Sequence, residues 1–157
     1  MAQHRNIIRK ASAHEYNDLT AIAMASKAHW GYSPSFMQAC AHELQVSEDD
    51  LLNPLYMYWL IQFDDEIAGY AALKPIDEEI IELDALFIKP NYIRKGAGAA
   101  LFQHFLPLLE VSAYTHLRIF SDPKAAEFYV NMGASYVGEK ASGSIANRFL
   151  PVYEITL

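Results

Sequence analysis

Residues 82–109 read ELDALFIKPNYIRKGAGAALFQHFLPLL: a strand, a polar turn, a basic glycine corner and a helix in immediate succession. Ile80, Ile81, Leu83, Leu86, Phe87 and Ile88 form an apolar β run that stops at Lys89-Pro90-Asn91. From Gly98 onward, Leu101, Phe102, Phe105, Leu106 and Leu109 recur at helical spacing. Between them, Gly96-Ala97-Gly98-Ala99 keeps bulk away from the helix's unpaired N–H groups. Such a terminus carries about half a positive elementary charge, and Arg94 and Lys95 stand beside it, so the corner suits a phosphate. It is not a Walker A loop, because Lys95 precedes the glycines and no Ser or Thr follows them. It also fits a dinucleotide fingerprint poorly, since Leu101 occupies the third glycine position. A plain glycine turn into a core helix is the structural alternative.

The chain has 157 residues, the usual size of one domain, and no apolar run reaches the length of a membrane span. The opening MAQHRNIIRK lacks the apolar stretch of a secretory leader. One cysteine, Cys40, excludes an internal disulfide framework and suits a reducing cytoplasm. Its neighbours Phe36, Met37 and Leu44 suggest a buried, inert thiol. The net charge of −7 argues against a nucleic-acid binder. Residues 1–88 hold 14 acids against 5 bases, whereas residues 89–157 hold 5 acids against 7 bases. One half suits a cationic ligand and the other an anionic one, unless the acids are only solubility charge on turns such as Glu48-Asp49-Asp50.

Period and punctuation order the elements. Asn6–Lys10 is a first strand. Ser12 caps a helix running to about Lys27, with Glu15 completing a capping box. His29 to Pro34 breaks it, and a second helix runs to about Leu44. Tyr56–Gln62, Ile67–Leu73 and Glu79–Ile88 form a meander. After the glycine corner and its helix come a strand at Leu117–Phe120, a helix from Asp122 or Pro123 to Met132, and strands near Ala134–Glu139 and Phe149–Leu157. The sum is an α+β single domain, a mixed and mostly antiparallel central sheet flanked by helices.

This order and two motifs resemble the GNAT superfamily of acyl-CoA-dependent N-acyltransferases. Ile93-Arg94-Lys95-Gly96-Ala97-Gly98 is similar to that family's Gln/Arg-x-x-Gly-x-Gly/Ala loop, with Ile93 replacing the polar first residue. Asp122-Pro123-Lys124-Ala125-Ala126-Glu127-Phe128-Tyr129, followed by Met132-Gly133-Ala134, resembles its Asn-x-x-Ala-x-x-Phe-Tyr-x-x-x-Gly-Phe stretch, with Asp122 where Asn is usual. The resemblance implies an acetyl-CoA-dependent N-acetyltransferase working by direct attack in a ternary complex. It places Leu86, Phe87 and Ile88 along the pantetheine arm and Arg94, Lys95, Gly96, Ala97, Gly98 and Ala99 on the pyrophosphate. Asp122, Lys124 and Phe128 complete the implied cofactor contacts. A strand with unpaired N–H and C=O groups suits the amide-rich arm.

Tyr129 matches the family position that protonates the departing sulfur, a task for a phenol whose pKa is about 10. Packing of the helix is its structural alternative. Glu82 matches a position that some members use as a base, and Asp84 lies two residues on and therefore shares its face, a solvated or salt-bridged strand end being the structural alternative for both. Water is the other candidate for the proton. His29, Trp30 and Tyr32 fall in the loop that walls the acceptor cleft in this family, where aromatic rings can cage a cationic amine, plugging of the core edge being the structural alternative. Ser144 and Arg148 belong to a small-residue loop that is suited to closing over the acceptor or is an unspecialised hairpin, and Arg148 can hold a carboxylate of the acceptor or simply pair with a surface acid. Asp84 also counts among the acceptor-site residues. The six histidines show no metal-ligand spacing, so no metal is expected. The expected partner is an amine, a small cationic molecule first and a protein or peptide amine as the alternative. A noncatalytic acyl-CoA sensor is a further alternative. No nucleic acid and no membrane are expected, and a homodimer is compatible with the resemblance.

Overall fold

The computed structural model describes residues 6–157. Met1–Arg5, the first half of the opening MAQHRNIIRK that lacks a leader's apolar stretch, lie outside the described residues. β1 (Asn6–Lys10), β2 (Met57–Phe63), β3 (Glu66–Pro75), β4 (Ile80–Ile88), β5 (His116–Phe120), β6 (Ser135–Ala141) and β7 (Phe149–Thr156) form one sheet. Their order is β1-β2-β3-β4-β5-β7-β6, and every neighbouring pair is antiparallel except β4 with β5. This is the mixed, mostly antiparallel α+β architecture expected from the sequence.

Alternation sends side chains to two faces of the sheet. On one, Leu73, Ile81, Leu83, Leu117 and Ile119 bury against Phe102, Phe105 and Leu109 of α4 (Ala97–Glu110) and Tyr129 of α5 (Ala126–Asn131). On the other, Tyr58, Leu60, Tyr70, Ala72 and Ala85 meet Leu19, Ile22 and Ala23 of α1 (Tyr16–Ala28) and Cys40 and Leu44 of α2 (Pro34–Leu44). Cys40 is buried, as its apolar neighbours suggest. Leu83 and Ala85 reach opposite faces although they are two residues apart. The reason is a bulge: Ala72 pairs with Ala85 and Leu73 with Leu83, leaving Asp84 as the extra residue.

Local chemistry explains where the elements differ from expectation. Glu48-Asp49-Asp50 is not a turn but the start of α3 (Glu48–Leu52). Ser47 caps it, accepting from Asp50 N–H at 3.1 Å, while the Asp50 carboxylate accepts from Ser47 N–H at 2.9 Å. The three acids thus face the positive end of a helix. Residues from Ala13 to Glu15 form a 3₁₀ turn ahead of α1, and α4 starts one residue early, at Ala97, because Gly96 takes the left-handed cap conformation (φ +80°).

Two positions make testable demands on this fold. Gly69 pairs with Ile88, and a Cβ there would sit 2.6 Å from the Phe87 carbonyl oxygen and 2.5 Å from Ile88 Cδ1. The first obstacle is backbone and cannot swing aside. Gly69→Ala is therefore expected to cost about 2 kcal/mol, a melting-temperature loss of roughly 4–8 °C by thermal denaturation.

Glu15 is buried, and both its oxygens meet the Arg9 guanidinium at 2.9 and 2.8 Å. The Arg9 fork, against the opposing cost of burial and with help from Ser12 N–H, holds the Glu15 carboxyl down to about 2 from its ordinary 4.5. A depressed folded-state pKa contributes stability that is complete above the unfolded value and lost as pH falls toward the folded one. Glu15→Gln should therefore lower the melting temperature clearly at pH 7, and the gap to the parent should close between about pH 4.5 and 2. A constant gap across that window would contradict the ion-pair account.

Candidate active site

β4 and β5 are paired only at Ile80–His116, Ile81–Leu117 and Glu82–Arg118. Beyond Glu82 the two strands separate, β4 staying with β3 as far as Ile88 and β5 with β7 as far as Phe120. The β5-facing edge of Leu83–Ile88 therefore keeps backbone N–H and C=O groups with no strand opposite them. At the end of β4 three segments converge. A Cβ on Gly98 would meet the Phe128 ring at 3.4 Å and Ile88 Cγ1 at 3.9 Å. The strand end, the first turn of α4 and α5 thus close around one point. Leu86, Phe87 and Ile88 are half-buried there, while Arg94, Lys95 and Gly96 are exposed on the corner leading into α4. Arg94 holds φ +66°, which with Gly96 turns the chain sharply into the helix; Ala97 is buried and Ala99 half-buried.

Tyr129 is 7 % exposed, edge-on to Phe128 at 5.3 Å between ring centroids. Burial, and then the Asp122 carboxylate, push its phenol above the ordinary 10. It is neutral at any physiological pH.

Asp122 is the hub of the loop cluster above α5. Its carboxylate accepts from Lys27 Nζ at 2.6 Å, Tyr32 O–H at 2.8 and 2.9 Å, Arg148 Nη2 at 3.2 Å and Lys124 N–H at 2.9 Å. Burial alone would raise this carboxyl, but Lys27, the Lys124 N–H and Tyr32 outweigh it and hold it below the ordinary range. Burial and the same carboxylate push Tyr32 up to about 12. The Tyr32 ring stacks on Phe36 at 4.0 Å, and Lys124 Nζ reaches the Trp30 carbonyl at 2.8 Å. His29 and Trp30 stay exposed beside it. Ser144 is half-buried, its N–H directed to Ser142 Oγ.

Glu82 and Asp84 occupy the α1–α2 side of the sheet near the point where β4 and β5 part. Simple alternation does not hold across the bulge, yet the two carboxylates still act on each other: burial first, then Asp84, raises the Glu82 carboxyl. Lys74, opposite Glu82 in register, ion-pairs with Asp84 at 3.2 Å. Its ammonium lies over Tyr56 at 4.8 Å and Tyr58 at 5.9 Å. Burial opposes that charge, but Asp84 prevails and the Lys74 pKa is raised. From Arg118, the register partner of Glu82, an open groove of about 470 Å³ continues past Phe120, Lys140 and Glu154. Among the described residues no group of three or more His, Cys, Asp or Glu could hold a metal ion, and no helix is long and apolar enough to cross a membrane.

The structure brings Ile88, Gly98 and Phe128 together at one point, Tyr32, Asp122, Lys124 and Arg148 in a second cluster, and Glu82 with Asp84 where β4 and β5 part, and to these groups it adds Lys27, Lys74 and Tyr58. Lys74 had a signal, since counting back from the Ile76–Glu79 turn puts it across from Glu82. Lys27 had none, being an ordinary lysine in the last turn of α1.

Comparison with known proteins places this geometry. The model of the acetyltransferase (GNAT) family matches residues 14–134. The chain is 29 % identical over 97 residues to the uncharacterized N-acetyltransferase YedL of Escherichia coli K12, a stretch covering 60 % of each protein. It is 26 % identical over 93 residues to the uncharacterized N-acetyltransferase YsnE of Bacillus subtilis 168, covering 56 % of this chain and 62 % of that one. The match thus spans about three fifths of either relative's length. Among solved structures, the PaiA N-acetyltransferase of Thermoplasma acidophilum in complex with coenzyme A superposes with a TM-score of 0.80 at 20 % identity, covering 98 % of this chain and 99 % of that one. The ribosomal-protein-S18-alanine N-acetyltransferase of Escherichia coli gives 0.73 at 16 % identity, with 97 % and 94 % covered. At these identities the structural likeness is one of fold.

Proposed function

The chain belongs to the acetyltransferase (GNAT) family, and from that premise we propose that it transfers an acetyl group from acetyl-CoA directly to a primary amine within a ternary complex. One observation carries the reading: the gap that opens between β4 and β5 after Glu82, with Gly98, Phe128 and Ile88 converging at its rim. The free edge of Leu83–Ile88 can pair with an amide-rich arm as another strand would. Arg94 and Lys95 beside the open first turn of α4 suit a pyrophosphate. Acetyl-CoA supplies the activated acyl group as cosubstrate, and every other part of the reaction falls to the chain.

Transfer to an amine has two proton problems. An alkyl ammonium with pKa near 10.4 must lose its proton before it attacks. Glu82, raised by burial and by Asp84, is the group placed to take it, directly or through a water. The departing thiolate needs a proton, and Tyr129 holds one throughout the physiological range. A backbone N–H on the open edge of β4 is available to the carbonyl oxygen as charge develops. Cys40, buried against α1, is no candidate for an acyl-enzyme route. The acceptor is a small amine whose cationic end meets Glu82 and Asp84, consistent with the acid-rich first half of the chain.

Thiol release from acetyl-CoA, followed with a panel of small amines and with peptides bearing free N-termini or lysines, tests the reading. Turnover confined to peptides would move the acceptor to the protein class. Binding of acetyl-CoA with no thiol release on any amine would leave a sensing module instead of an enzyme.

A further inference from the structure

Two cations, Lys27 and Arg148, ion-pair with the single carboxylate of Asp122, and the cluster is largely buried: side-chain exposure is 13 % for Lys27, 17 % for Arg148 and 11 % for Asp122. Tyr32 adds a neutral phenol, and the exposed Lys124 ammonium sits beside the cluster on the Trp30 carbonyl, so the buried pair of cations keeps one formal positive charge beyond what its carboxylate balances. Partly desolvated charge of one sign is costly unless a counter-charge arrives.

Arg148 is the member built to receive one. A guanidinium has five N–H donors, and only Nη2 is engaged, with Asp122 at 3.2 Å and the Tyr32 oxygen at 3.1 Å. Nε and Nη1 have no partner among the described residues. Their direction is nevertheless fixed, because the guanidinium lies against the rings of Phe36 at 5.0 Å and Tyr32 at 5.5 Å. An arginine held in plane with free donors is pre-organised for a carboxylate. The other cations of this region are committed elsewhere: Arg118 to Glu154 at 2.7 Å, Lys74 to Asp84, and Lys140 over the Phe120 ring at 4.3 Å.

The position of the cluster says which molecule brings the anion. Arg148 comes from the loop between β6 and β7 and stacks on the start of α2, so it belongs to the α1–α2 side of the sheet. The phosphate corner opens α4, on the opposite side. We propose that the acceptor bears a carboxylate as well as its reacting amine, an amino-acid-like molecule, and that Arg148 binds this carboxylate while the amine points to Glu82. The inference rests on the acetyltransferase reading and adds the substrate class.

Matched acceptor pairs test it: lysine against cadaverine, ornithine against putrescine and tyrosine against tyramine, assayed as kcat/KM with the parent, Arg148→Gln and Arg148→Lys. The parent should favour the carboxylate member at least tenfold. Arg148→Gln should cut that ratio tenfold or more, through KM of the carboxylate acceptor, and Arg148→Lys should restore part of it. Several results would overturn the proposal. One is a ratio that is the same in parent and variant, including equal loss on every acceptor with a lower melting temperature, which would make Arg148 a structural clamp. Another is a tenfold rise in KM for acetyl-CoA at a constant ratio, which would give the cluster to the cofactor. A third is a ratio that collapses in Lys140→Gln and not in Arg148→Gln. Failure of every amine would sink the acetyltransferase reading and this one with it, whereas turnover without a carboxylate preference sinks only this one.

Discussion

Tyr129→Phe is expected to lower kcat for acetyl transfer by about 10²–10⁴-fold, the range general acid catalysis contributes, with KM for acetyl-CoA moving far less. The substitution removes one oxygen and keeps the ring that packs against Phe102 and Phe128, so α5 keeps its seat on the sheet. What disappears is the only part of the side chain that can deliver a proton. Its pKa, raised by burial and by Asp122, also predicts the parent's pH profile: loss of the phenol proton should impose no basic limb below about pH 10. The competing account makes Tyr129 a packing residue. It predicts a Phe variant of equal turnover, so one measurement of kcat at saturating acetyl-CoA separates the two.

How far such roles can be read without coordinates depends on how local their causes are. The turn from β4 into α4 was legible because a strand end, a left-handed glycine and a helix start lie within a dozen consecutive residues, and each leaves its own mark on composition. The face of the Leu101, Phe102, Phe105 and Leu109 helix was legible for the same reason, and all four are buried. The cluster on Asp122 was not. Lys27 and Tyr32 lie 95 and 90 residues away from it in sequence, and only the packing of α1 and α2 on the sheet brings them there. Asp122 was singled out as a departure from the family's Asn, and the structure gives that departure a physical setting: a carboxylate balances cations that an amide would leave uncompensated. The bulge at Asp84 was equally hidden, because alternation is a rule of regular strands and nothing in LDAL announces an extra residue. Glu48-Asp49-Asp50 was misread for a different reason: five residues are too few for a helical period, so only its cap could have revealed it.

Glu82→Gln should reduce kcat/KM by about 10²-fold or more at neutral pH, and the shape of the pH profile says more than the size of the loss. A base must be ionised to accept a proton, so the parent's rate should fall as pH drops through the Glu82 pKa. That pKa lies above the ordinary 4.5, since burial and the neighbouring Asp84 both disfavour the carboxylate, with Lys140 and Lys74 opposing them. Gln cannot titrate, so the acidic limb should vanish from the variant's profile while the residual rate persists. Asp84→Asn supplies the control that a merely structural role would not pass. It deletes the charge that raises Glu82, so the acidic limb should move to lower pH while the base itself survives. Lys74→Met should move the limb the other way, because an ammonium that favours the Glu82 carboxylate is lost and Asp84 is left without its partner. Opposite shifts from Asp84 and Lys74, with the limb abolished only at Glu82, would identify the base. A limb that survives Glu82→Gln would hand the ammonium proton to water instead, and the Lys74–Asp84 pair would then be a brace for the bulge in β4.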